Sequence, residues 1–96
     1  MKKVIVYTMK GCPWCLEMKN TLKESKIKFI ERDIDKYKSE YDLFVEATGN
    51  DYVPALMLLT LNEGDAQDVK LMAPDRDYED ISEAVDKVKE YLNLLD

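Results

Sequence analysis

The chain has 96 residues, of which 46% are hydrophobic and 35% charged, with a formal net charge of −6 and two cysteines. That length suits one domain, since domains run from about 50 to 200 residues, and the apolar share is enough for a single core. The acidic balance argues against generic nucleic-acid binding, which needs basic surface, and no apolar run approaches the roughly 18 residues of a spanning helix.

Met1-Lys2-Lys3 has the basic start of a signal peptide, but the apolar run behind it is short and Thr8 and Lys10 soon interrupt it. Val4 to Tyr7 is therefore expected to be a buried strand of a cytoplasmic protein. Pro13 to about Lys26 reads as a helix and Ile27 to Ile34 as a second strand. Tyr37, Tyr41, Phe44, Val45 and Thr48 then recur at helical spacing, and Gly49 ends that helix. Ala55 to Leu61 is a third strand. Asn62-Glu63-Gly64-Asp65 reads as a hairpin turn, with Val69 to Met72 returning antiparallel. Ile81, Ala84, Val85, Val88, Tyr91, Leu92 and Leu95 form the stripe of a last helix, capped upstream by Asp75 or Asp77. No linker, repeat or low-complexity segment interrupts residues 1–96, which are expected to form a single domain. The order β-α-β-α-β-β-α predicts an α/β fold. Its strand–helix–strand opening makes a parallel pair, and the later hairpin adds an antiparallel edge. The expected result is a four-stranded mixed sheet with helices on both faces.

The two cysteines lie in Cys12-Pro13-Trp14-Cys15, between the first strand and the first helix. Pro13 suits the first helical position, where its missing N–H costs nothing. Cys12 then becomes the N-cap, its sulfur placed to accept the free amides of Trp14 and Cys15 at the positive end of the helix dipole. Thiols in such settings have pKa values of roughly 3.5–7.5, against about 8.5 when free. Ionisation alone gains about 30-fold in attack at pH 7, and the lower nucleophilicity of a stable thiolate removes much of that. The larger benefit goes to departure, because a stable thiolate leaves a mixed disulfide readily. Cys12 is thus expected to attack and to leave, with Cys15 one turn deeper and protonated. A structural disulfide, a buried structural dithiol and half of a zinc site are the competing readings. The ring is too small to remove much unfolded-state entropy, however, and a structural zinc wants four Cys or His ligands where this chain has two cysteines and no histidine.

Val4-Ile5-Val6-Tyr7-Thr8, the Cys-Pro-Trp-Cys motif, and Val53-Pro54 after the second helix together resemble the glutaredoxin family of the thioredoxin superfamily. The resemblance implies a thioredoxin-like fold and a thiol–disulfide oxidoreductase. Glutathione would be its co-substrate, with no permanently bound cofactor and no metal. It implies that Cys12 and Cys15 are catalytic, that the bond before Pro54 is cis, and that Val53 pairs through its backbone with the cysteinyl part of glutathione. Trp14 would form a partly exposed rim for docking substrate, or else shield Cys15. Two departures stand out. The family's glutathione-binding lysine falls at Met9, with Lys10 one residue nearer the motif as its substitute or as a solvated loop lysine. The family's Gly-Gly is replaced within Ala73-Pro74-Asp75-Arg76-Asp77, where Asp77 matches the family aspartate and Arg76 could meet the γ-glutamyl carboxylate; Asp75 and Asp77 are equally readable as helix caps. Tyr7 and Tyr52 read as packing residues, and Lys19, Lys23 and Lys26 as a solvated face. The implied partners are glutathione and disulfide-containing proteins, with no membrane or nucleic acid and the protein a monomer. Two other readings remain. One is a redoxin fed by thioredoxin reductase and serving an enzyme such as ribonucleotide reductase. The other is a module holding an iron–sulfur cluster.

Overall fold

A computed structural model describes residues 1–63 and 65–93. In chain order the elements are β1 (Lys2–Thr8), α1 (Pro13–Glu24), β2 (Ile30–Asp33), α2 (Lys38–Thr48), β3 (Ala55–Asn62), β4 (Asp65–Met72) and α3 (Ile81–Tyr91). The strands form one sheet in the order β2-β1-β3-β4. β1 runs parallel to β2, with Ile5 opposite Ile30, and antiparallel to β3, with Ile5 opposite Met57. The β3–β4 hairpin completes the mixed sheet.

Side-chain alternation along β1 divides the core in two. Val4 and Val6 face α1 and α3, packing with Met18, Leu22, Leu56, Leu58, Val85 and Val88. Ile5 and Tyr7 face the opposite side, where Tyr41 and Phe44 of α2 close a smaller cluster. Helices thus cover both faces, as the order of elements predicts. On the α2 side a polar clamp ties three elements together: Glu40 accepts Arg32 Nη1 through both carboxylate oxygens (2.5 and 2.6 Å) and the Tyr7 hydroxyl (2.5 Å). Burial, reinforced by Glu40, pushes the Tyr7 phenol well above its ordinary value.

Several boundaries differ from the sequence expectation, and three of them have a clear local reason. α1 stops at Glu24 because the Ile27 N–H donates to Leu22 O and the Lys26 N–H to Lys23 O. That is a Schellman turn, with Lys26 in the left-handed region at φ +60°. Ile27 is consequently buried beneath α1 instead of opening β2. β4 begins four residues earlier than the hydrophobic pattern indicates, at Asp65, because its first half is an exposed edge with no apolar alternation to read. α3 is capped by Asp80, whose carboxylate accepts the Glu83 N–H (2.8 Å), and Glu83 returns to accept the Glu79 N–H (2.7 Å). The proposed caps Asp75 and Asp77 lie in the preceding turn, where the Asp77 carboxylate accepts the Ala73 N–H instead (2.8 Å). The stripe holds through Leu92; Gly64 of the hairpin turn and Leu95 lie outside the described residues. Among the described residues no helix is long and apolar enough to cross a membrane.

Candidate active site

β1 delivers the chain to the carboxyl edge of the sheet, where open α/β folds place their ligands. Gly11, at φ +73°, makes the turn that redirects it into α1. Cys12 is the N-cap and Pro13 the first helical residue, as the motif predicts. The Cys15 N–H donates to Cys12 Sγ (3.0 Å). This is the one amide of the expected pair that reaches the sulfur among the described residues. Cys12 and Cys15 are joined in a disulfide. Cys15 is 2% exposed, packed in the body of the protein, whereas Cys12 is half-buried. Trp14, 43% exposed, forms a rim beside them.

Facing the disulfide is the loop that enters β3. The Val53–Pro54 bond is cis. Pro54 is buried, and its carbonyl accepts the Tyr78 hydroxyl from the turn before α3. Asn50 holds the rest of this loop: its Nδ2 donates to Pro74 O (2.7 Å) and its Oδ1 accepts the Tyr52 N–H (2.8 Å). Among the described residues neither backbone group of Val53 has a backbone hydrogen-bond partner. Between the two loops lies a groove of about 520 Å³, lined by Met9, Cys12, Trp14, Tyr52, Val53 and Pro74, with Asp51 and Asp75 on its walls.

A second concavity, about 510 Å³, opens on the other side of the cysteines toward β2, and Lys10, Lys19, Glu31 and Asp33 line it with Cys12 and Cys15. Glu31 Oε2 accepts both Lys19 Nζ (2.9 Å) and the buried Thr8 hydroxyl (2.9 Å). Those two hydrogen bonds, Lys19 first, hold its carboxyl below the usual carboxylate range against a small opposing effect of burial.

The structure therefore brings Cys12, Trp14 and Val53 onto one groove, with Cys15 and Pro54 buried behind it, and separates the other predicted contacts from it. Lys10 lies on the second concavity. Arg76 and Asp77 line neither; Arg76 Nη1 bonds Asp77 Oδ2 (2.8 Å), and the Asp77 carbonyl accepts Lys87 Nζ. Asp75, at φ +66°, takes the place on the groove wall. Tyr52, expected to pack, is 57% exposed on that wall. Lys19, expected to be solvated, is engaged by Glu31. Sequence reasoning missed Asn50, Asp51 and the Thr8–Glu31–Lys19 set, and the adjacency of Asn50 to the helix-ending Gly49 was the only local signal for any of them.

A four-stranded mixed sheet with flanking helices, a disulfide at a helix start and a cis-proline loop facing it define a thioredoxin-like thiol–disulfide oxidoreductase. The family model described as Glutaredoxin matches residues 4–58, more than half of the sequence, and the chain belongs to the glutaredoxin family. Several solved structures share the fold. A mutant form of the thioredoxin-like protein BC3987 is 20% identical, with a TM-score of 0.59 over 95% of this chain and 100% of that one. Glutaredoxin 1 from Francisella tularensis, complexed with cacodylate, is 21% identical, with a TM-score of 0.53 over 97% and 99%. Thioredoxin 1 from Thermosipho africanus is 18% identical, with a TM-score of 0.56 over 96% of each chain. No curated protein matches the chain significantly.

Proposed function

We propose that Cys12 is the attacking thiol of a dithiol glutaredoxin and Cys15 its resolving partner. The observation that carries this reading is the Cys12–Cys15 bond at the N-terminus of α1, with Cys12 on the groove and Cys15 behind it. In the reduced protein the Cys15 amide and the helix dipole favour the Cys12 thiolate. That thiolate attacks one sulfur of a substrate disulfide, forms a mixed disulfide and expels the other sulfur as a thiolate. Cys15 then gives up its proton and attacks Cys12 Sγ. This releases the second substrate thiolate and closes the Cys12–Cys15 bond, so two electrons have moved to the substrate. The backbone of Val53 beside Pro54, which has no backbone hydrogen-bond partner among the described residues, would hold the substrate's cysteinyl segment as an added strand.

Family membership supports glutathione as the thiol that restores the dithiol, with protein disulfides and glutathione mixed disulfides as substrates. On this reading Trp14, Val53 and Pro54 receive its cysteinyl portion, and Lys10, Arg76 and Asp77 would have to reorient to meet its charged ends. The protein would work as a monomer in a reducing, cytoplasmic setting, with no permanent cofactor. The charge of the groove favours a second source of electrons, because the two charged side chains on its walls are the carboxylates of Asp51 and Asp75. A reductase protein of the thioredoxin reductase kind would then feed the dithiol, which would pass electrons to an enzyme such as ribonucleotide reductase.

Two single substitutions test the roles. Cys12→Ser is expected to reduce turnover of every disulfide to the uncatalysed rate. Cys15→Ser should lose protein-disulfide reduction and keep removal of glutathione from a mixed disulfide. Equal loss in both variants would overturn the assignment. Coupling the wild type to glutathione with its reductase, or to thioredoxin reductase, distinguishes the two electron sources.

A further inference from the structure

We propose that the groove beside Cys12 takes an extended protein segment in which the half-cystine is flanked by an apolar residue and by lysine or arginine. This rests on the exchange chemistry proposed above and names the substrate class for it. The groove combines three features. Its open surface is apolar and aromatic, with Met9, Trp14 and Tyr52 all exposed around the sulfur. Its two charged groups, Asp51 and Asp75, are exposed and have no ion-pair partner among the described residues. Its inner wall offers the backbone of Val53, which has no backbone hydrogen-bond partner among the described residues.

Charge complementarity decides the occupant. A cation entering between Asp51 and Asp75 meets two carboxylates and, in Trp14 and Tyr52, two aromatic faces that favour it further. An anionic thiol compound meets those same carboxylates. The cations that could compensate are elsewhere: Lys10 lines the second concavity and not the groove, and Arg76 is paired with Asp77. The overall charge of −6 acts in the same direction at long range. A basic residue next to the substrate cysteine also helps it depart as a thiolate, which speeds release from the mixed disulfide.

Single-turnover reduction of three disulfide-linked peptides by the prereduced protein tests this. The peptides share length and an apolar flank and carry lysine, serine or glutamate on the other side of the cysteine. At about 0.02 M salt the lysine peptide is expected to react about tenfold faster than the glutamate peptide, with the ratio falling to about two near 0.5 M as the Debye length shrinks. In an Asp51→Asn/Asp75→Asn variant the ratio should approach one even at low salt. Asparagine tolerates the left-handed backbone of residue 75, so that change adds no strain. Asp86→Asn, an exposed charge on α3, should leave the ratio as in the wild type. Equal rates for the three peptides, preference for glutamate, or a ratio that survives the double substitution would overturn the inference. A prereduced protein that none of the peptides oxidises would overturn the exchange reading as well.

Discussion

Glu31 shows how one residue can be set by partners that its own neighbourhood in the sequence does not disclose. Lys19 comes from α1 and Thr8 from β1, and both converge on the same oxygen. Because this holds the carboxyl below its unfolded value, the stability it contributes is present above the ordinary carboxylate range and is lost as the pH falls through the folded value. Urea midpoints of the wild type and Glu31→Gln should therefore differ at about pH 6 and converge toward about pH 3. A constant difference would refute the linkage. The cysteines, by contrast, were legible outright: spacing, Pro13 and the apolar run before them placed Cys12 at a helix start without any tertiary information. Arg76 and Asp77 were not, because Asp77 is claimed by Ala73 and Arg76, a contact that depends on how the turn after β4 folds.

The elements were legible where apolar periodicity marks them and obscure where backbone geometry takes over. The α3 stripe and the Gly49 stop of α2 read directly. The end of α1 did not, since Lys26 adopts a left-handed conformation that its residue type gives no reason to expect. An L-residue there costs roughly 1–2 kcal/mol, while glycine's extra unfolded-state freedom costs about 0.4–1 kcal/mol. Lys26→Gly should therefore stabilise the protein by about 0.5 kcal/mol and raise Tm by roughly 2–4 °C. Lys26→Ala should give no such gain. Differential scanning calorimetry of the two variants checks this, and an unchanged or lowered Tm for the glycine variant would count against a strained Schellman turn.

For the whole molecule, the strand–helix–strand opening and the later hairpin were enough to give a mixed four-stranded sheet, but not its order β2-β1-β3-β4, which rests on the long-range pairing of β1 with β3. The groove was beyond reach, because its walls come from loops that lie far apart in the chain and are joined through Asn50 and Pro74. The same sheet order leaves β4 at one border, exposed over nearly its full length and carrying Asp65, Asp68 and Lys70. A bare row of amides and carbonyls is a template for stacking copies edge to edge, and scattered charge is the usual deterrent. Asp65→Val/Lys70→Val should turn cloudy on mild heating while the parent stays clear, as light scattering would record. If both stay clear, the border is guarded by something other than charge. The polar half of β4 that hid the strand from hydrophobic patterning is then what keeps a crowded solution of this protein from polymerising.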